Sequence, residues 1–143
     1  MTDGGLYYDA TGHMMAKFHV LDGMGLKLLM KTGVKTCLIT QSKTGAIDKR
    51  AEILGLTYCF TGVEDKLTTI TQTAAELGIT MDEVAHIADD VNDIPLLEKV
   101  GFAITVPNAV TEVKAISHYI TERPGGSGAV RDLTDAIIRG QKV

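Results

Sequence analysis

From residue 35 onward the chain alternates short β-prone runs with stretches of helical apolar spacing, and that rhythm admits few folds. Strand runs fall at 35–40, 57–60, 84–88, 102–106 and 118–121. Helical stretches fall at 44–54, 66–77, 94–99, 110–116 and 129–139. Strands separated by a helix pair in parallel through right-handed crossovers, and the helices then cover both faces of the sheet. The run Cys37, Leu38, Ile39 is apolar without alternation, as a strand buried on both faces must be. Between strands, Leu67, Ile70, Ala74 and Leu77 share one helical face, and Gly78 stands where a helix would end. Thr80 and Glu83 have capping-box spacing just before the run at 84–88. The expected class is α/β, a doubly wound, Rossmann-like parallel sheet.

The first part of the chain is different. Two β-prone runs, at 6–9 and 15–20, flank Ala10-Thr11-Gly12-His13 and predict a β-hairpin. Such a hairpin is too small to be stable alone, so it must pack on something, another subunit included. Asp22-Gly23-Met24-Gly25 then opens a helix over 26–31. Near the other end, Arg123-Pro124-Gly125-Gly126-Ser127-Gly128 reads as a flexible loop before the final helix. No repeat or domain boundary interrupts the pattern. The chain is expected to be one domain, 1–143, with the 6–20 hairpin as an appendage and 123–143 as a Gly-rich loop and C-terminal helix.

Charge and composition narrow the function. A net charge of -4 argues against nucleic acid as a partner, because phosphate-backbone binding needs a basic face. No run reaches the ~18 apolar residues of a membrane span. Met1-Thr2-Asp3-Gly4-Gly5 lacks the basic and apolar regions of a secretory signal. Cys37 and Cys59 have no CxxC spacing and sit in apolar runs, so they are expected to be buried free thiols of a cytoplasmic protein rather than zinc ligands.

The chemistry gathers at His86-Ile87-Ala88-Asp89-Asp90-Val91-Asn92-Asp93. An apolar strand stops at two adjacent carboxylates, and a third follows three residues later. Three acids at a strand end repel one another unless a cation sits among them, and hard cations such as Mg²⁺ take such oxygen ligands. The bland alternative is an Asp-rich turn that caps a helix. Thr40 closes an earlier strand, with Gln41 and Ser42 after it, and Lys66 starts the helix between the two strands. In one parallel sheet these ends face the same edge, where ligands bind. A hydroxyl, an ammonium and a carboxylate-bound Mg²⁺ can together hold a phosphoryl group. Lys66 can also pair with Asp90 or Asp93. Taken singly, Lys66 is a solvated helix start, Arg50 an exposed helix charge and Arg131 a first-turn surface residue. His13, His19, His86 and His118 show no ligand spacing, and His86 reads as a packed core or rim residue rather than a base.

A strand-ending Thr, a Lys at a helix start and a strand-ending Asp-Asp-x-x-Asp, in that order, resemble motifs two to four of the haloacid dehalogenase (HAD) superfamily. Further blocks narrow the resemblance: Thr2-Asp3-Gly4-Gly5-Leu6-Tyr7, Lys17 to Gly25, Arg50-Ala51-Glu52-Ile53-Leu54-Gly55, Lys99-Val100-Gly101 and Gly125 to Arg131. Together they are similar to the 3-deoxy-D-manno-octulosonate 8-phosphate phosphatases and the nonulosonate 9-phosphate phosphatases, over essentially the whole chain. The resemblance implies a Mg²⁺-dependent phosphomonoesterase of lipopolysaccharide biosynthesis that works through a phosphoaspartate. It implies that Thr40 contacts phosphoryl oxygens and that Lys66 stabilises the nucleophile and the phosphoryl charge. Asp89 would bind the metal, with Asp90 and Asp93 supporting its waters or Lys66. Ser42, Arg50 and Arg131 would face the substrate, a phosphorylated keto sugar acid. In this family the hairpin assembles a homotetramer, and the Gly-rich tail reaches toward a neighbour's active site.

The sequence departs from the family at consequential places. The family's nucleophile is the first Asp of an Asp-x-Asp-Gly motif ending the first, central strand, directly before the Thr2-Asp3-Gly4-Gly5 block. No Asp-x-Asp occurs in these 143 residues. The first central strand is therefore expected to be missing, leaving the strands that end at Thr40 and Ala88 without a shared neighbour, and the chain as written is expected to be a truncated or inactive form. Motif two carries Ser42 where Arg or Glu is usual, and Ala88 replaces a usual Gly. Two alternatives remain. One is a non-catalytic oligomerising or regulatory domain, like that fused to some sialic-acid cytidylyltransferases. The other is a receiver-like signalling domain, disfavoured because its Asp pair follows the first strand.

Overall fold

A computed structural model describes residues 1–140; the last three residues of the expected C-terminal segment lie outside the described residues. The chain divides into two compact units, Met1–Glu64 with Gly125–Val143, and Asp65–Pro124. No helix among the described residues is long and apolar enough to cross a membrane.

The first unit opens with the predicted hairpin, β1 (Tyr7–Tyr8) against β2 (Met14–Met15), antiparallel, with Tyr7 opposite Met15. Asp9 closes its turn, because one carboxylate oxygen accepts from the Thr11 N–H, the Thr11 hydroxyl and the His13 N–H. The second strand is shorter than 15–20, and α1 (Val20–Met30) begins six residues before the expected 26. The sequence suggested a late start because Gly23 and Gly25 are poor helix formers. Tertiary packing outweighs that propensity. A Cβ on Gly25 would strike the Thr134 hydroxyl and come within 3.3 Å of the Arg131 Cα, so glycine is what lets α1 lie against α6 (Ala129–Ile138). The N-cap of α6, Gly128, has no side chain to cap with, and Asp22 of α1 does so instead, accepting from the Arg131 N–H at 2.9 Å.

The unit's parallel ladder is β3 (Cys37–Ile39) beside β4 (Tyr58–Phe60), joined by α2 (Gly45–Leu54). Thr44, expected as the first helical residue, instead caps α2, and Gly55 ends it at φ 69°. Leu29, Ile47, Ala51, Leu54, Val130 and Leu133 supply the buried apolar residues. The expected burial of the two thiols is corrected: Cys37 and Cys59 are both exposed. A strand is covered on both faces only within a broad sheet, and this ladder has two strands. The segment at 123–128 is also corrected. Gly125, Gly126 and Gly128 are buried in a tight turn, and a Cβ on Gly126 (φ 70°) would lie 2.6 Å from the Asp3 Cα. Its glycines serve close backbone approach rather than flexibility.

The second unit holds a three-stranded parallel ladder, β5 (Ala85–Ala88), β6 (Phe102–Thr105) and β7 (Tyr119–Ile120), with β6 central. Its helices are α3 (Lys66–Leu77), α4 (Ile94–Leu97) and α5 (Thr111–Ile116). The α3 boundaries coincide with those expected, because Asp65 caps one end and Gly78, at φ 71°, ends the other. The Thr80–Glu83 capping box forms and closes a 3-10 turn at Met81–Glu83. Ala103, Ile104, Val106, Leu96, Leu97 and Val113 are fully buried around β6. The strands thus form an α/β arrangement in two separate parallel ladders. Among the described residues β3 has one ladder neighbour in its unit, and β5 has one in its own.

Candidate functional site

The acidic stretch sits where β5 ends, and the register of the ladder fixes that end. Ala88 pairs with Thr105, whose buried hydroxyl also donates to the Ala88 carbonyl at 2.7 Å. The chain then enters a 3-10 turn, Val91–Asp93, which runs straight into α4. The three carboxylates of that corner have three different fates.

Asp93 is buried between the Lys66 and His86 side chains. Its Oδ2 accepts from the Lys66 ammonium at 2.7 Å, and its Oδ1 lies 2.8 Å from the His86 Nε2. Lys66 is 8% and Asp93 6% exposed, so water screens this pair poorly. Burial alone would raise the Asp93 pKa. The hydrogen bonds and charges of His86 and Lys66 outweigh burial and hold it below the usual carboxylate value. Asp90 caps the 3-10 turn, its Oδ1 accepting from the Val91 N–H at 2.7 Å. Asp89 is half-buried. Burial, then the charges of Asp93 and Asp90, push its pKa up.

The three acids of the corner are not equivalent. Lys66 pairs with Asp93, His86 meets its second oxygen, and Asp90 accepts from the turn. No group of three His, Cys, Asp or Glu side chains among the described residues could hold a metal ion. What remains is Asp89, a carboxylate whose charged form burial and the neighbouring Asp93 charge disfavour.

Thr40 and Ser42 lie in the other unit, just past β3. The Thr40 N–H donates to the Phe60 carbonyl at 2.9 Å and its own carbonyl accepts from Val63 at 2.9 Å. Its hydroxyl oxygen accepts from the Ser42 N–H at 3.1 Å. The Thr40 side chain is thereby held at the strand end. Ser42 lines an open cleft of about 590 Å³ together with His13, Met14, Lys43 and Thr44. The Lys43 stem lies so close to Gly62 that a Cβ there would be 2.6 Å from its Cε. Arg50 and Arg131 are engaged within the chain. Arg50 Nη2 donates to the His19 carbonyl at 3.2 Å, with its guanidinium 5.5 Å over the Phe18 ring. Arg131 Nε donates to Asp135 at 2.8 Å.

Two residues of these sites escaped the sequence. His86 read as core, because nothing local ties a strand histidine to an aspartate seven residues later. Lys43 was passed over because the family pattern drew attention to position 42.

A model of the haloacid dehalogenase-like hydrolase family matches residues 60–131. The chain is 33% identical over 141 residues to the Yersinia pestis 3-deoxy-D-manno-octulosonate 8-phosphate phosphatase KdsC, covering 99% of this chain and 75% of that protein. Among solved structures it is similar to the Moraxella catarrhalis phosphatase of the same name in complex with magnesium, phosphate and KDO, at 36% identity and a TM-score of 0.94 over 98% of this chain and 80% of that one. It is also similar to the cobalt-bound deoxy-D-mannose-octulosonate 8-phosphate phosphatase of Haemophilus influenzae, at 32% identity and a TM-score of 0.92, covering 98% of this chain and 82% of that one.

Proposed function

Because this chain belongs to the haloacid dehalogenase-like hydrolases, we propose that it is the phosphate-binding part of a magnesium-dependent phosphomonoesterase that acts on a phosphorylated keto sugar acid, 3-deoxy-D-manno-octulosonate 8-phosphate. The observation that carries the proposal is the buried Lys66–Asp93 pair, with Asp89, whose pKa burial raises, on the same corner. Lys66 is held by Asp93 at a helix start, where it can face phosphoryl oxygens. The Thr40 hydroxyl, fixed at the end of β3, donates to such oxygens. Asp89 would hold magnesium, which offsets phosphoryl charge when bound. Ser42, Arg50 and Arg131 remain substrate-side candidates. Arg50 and Arg131 would have to release His19 and Asp135 to reach a ligand. Lys43 brings to the Ser42 cleft a cation suited to a sugar carboxylate. The exposed hairpin, with Leu6 71% exposed, is the surface through which a homotetramer would assemble. The protein would act in the cytoplasm.

Covalent transfer needs a nucleophilic carboxylate. Of the site's three, Asp93 and Asp90 are committed and Asp89 is the metal's. These residues alone bind phosphate and do not turn it over. That specific observation also favours the second reading, a ligand-binding domain without catalysis. The test is phosphate release from the 8-phosphate sugar, by the 143-residue chain and by a chimera carrying the N-terminal segment of the Yersinia relative. We expect release from the chimera alone. Turnover by the chain itself would overturn the assignment of the nucleophile, and an inert chimera with intact Mg²⁺ and phosphate binding would favour the second reading.

A further inference from the structure

We propose that His86 is a positioning residue that aims the Lys66 ammonium by fixing the Asp93 carboxylate between them. The proposal rests on the reading of Lys66 as the phosphoryl-facing cation and adds to it the element that holds that cation in place.

The geometry is a chain of three side chains from three elements of one unit. His86 hangs from β5, where it pairs with Ala103 in a ladder of four consecutive parallel partners. Asp93 stands at the junction of the 3-10 turn and α4, and Lys66 at the first position of α3. Each Asp93 oxygen has one partner, His86 on Oδ1 and Lys66 on Oδ2. A carboxylate bonded through one oxygen is free to swing about its last torsion, which is broad and two-fold. A lysine has four such bonds and stands wherever its acceptor stands. With the second oxygen tied to a ring on a strand, the carboxylate plane is fixed, and so is the direction from which Lys66 must approach. All three side chains are shielded, His86 at 14% exposure being the most open. A group that must meet a phosphoryl oxygen tolerates little misplacement, and rigid elements are where such groups are best anchored.

The assignment fixes a proton. Asp93 is ionised and can only accept, so the His86 Nε2 must carry a hydrogen. The experiment uses the 143-residue chain labelled with ¹⁵N and needs no turnover. Ring-nitrogen spectra should find the His86 Nε2 protonated. The Lys66 ammonium protons, shielded by the pair, should give a resolved signal. That signal should be lost in His86→Phe, which keeps a ring and removes the donor, and should return in His86→Gln, which restores a donor. An unprotonated Nε2 in the natural chain overturns the proposal whatever the variants do, including a His86→Phe that fails to fold. A Lys66 signal unchanged in a folded His86→Phe also overturns it, leaving His86 as packing alone. Failure of the phosphatase assignment would be read in product release, which these signals do not involve.

Discussion

Replacing Lys66 by Met tests whether the site is dry. At 2.7 Å and an effective dielectric of about 20, the Lys66–Asp93 attraction is about 6 kcal/mol before the cost of desolvating both ions. That cost is several kcal/mol per ion, so the gross figure is not the stability of the pair. The measurable quantity is what removal of one partner leaves behind. Lys66→Met strands Asp93, 6% exposed, with His86 as its one remaining partner, and should cost about 3–5 kcal/mol. The double variant Lys66→Met/Asp93→Leu removes both charges and should recover most of the loss, departing from additivity by more than about 3 kcal/mol. The chain has no Trp, so urea unfolding is best followed by circular dichroism. If Asp65–Pro124 unfolds separately from the remainder, only its transition should move. A loss below about 1 kcal/mol in Lys66→Met, or single variants that simply add, would refute the account. It would mean that water reaches the pair and screens it as it does a surface salt bridge.

The remaining predictions concern other links of the structure. Asp89→Asn should raise the urea midpoint at pH 7 while weakening Mg²⁺ binding in a calorimetric titration. The raised pKa of Asp89 means that its ionised form destabilises the fold above that pKa, and the advantage of Asn should shrink as pH falls through it. Asp93 has the opposite sign: its lowered pKa contributes stability that is present above the unfolded value of about 3.8 and lost as pH falls below it. Gly25→Ala gains about 1 kcal/mol in helix propensity but forces a methyl into Thr134 and Arg131, an overpacking worth about 1–3 kcal/mol; a lowered melting temperature is expected. Leu6→Glu should change the melting temperature of a dilute sample little, because the side chain is 71% exposed, and should lower the mass seen by sedimentation if the hairpin assembles subunits.

Much of the fold was legible because local signals and the final structure agree. The α3 segment has a capping aspartate, a clean apolar face and a terminal glycine, and it forms where those signals place it. The same holds for α2 and for the Thr80–Glu83 box. Sequence went wrong where a residue's role depends on something far along the chain. Gly23 and Gly25 argue locally against a helix, yet they lie inside α1, because Arg50 and α6 press where their side chains would be. The glycines after Pro124 read as a flexible loop, and they are where Met1 to Asp3 approach closely.

The candidate site divides along the same line. Residue types and order by themselves singled out Thr40, Lys66 and the Asp89-Asp90-x-x-Asp93 stretch as candidates for phosphoryl chemistry, since few other tasks require a hydroxyl, an ammonium and clustered acids at strand ends. Only the tertiary structure decided how the acids divide the work, because a carboxylate's charge state depends on which donors reach it and how much water is left. Sequence placed three equal acids in a row. Packing gave Asp93 to Lys66 and His86, gave Asp90 to its own turn, and left Asp89 as the one whose charged form burial disfavours.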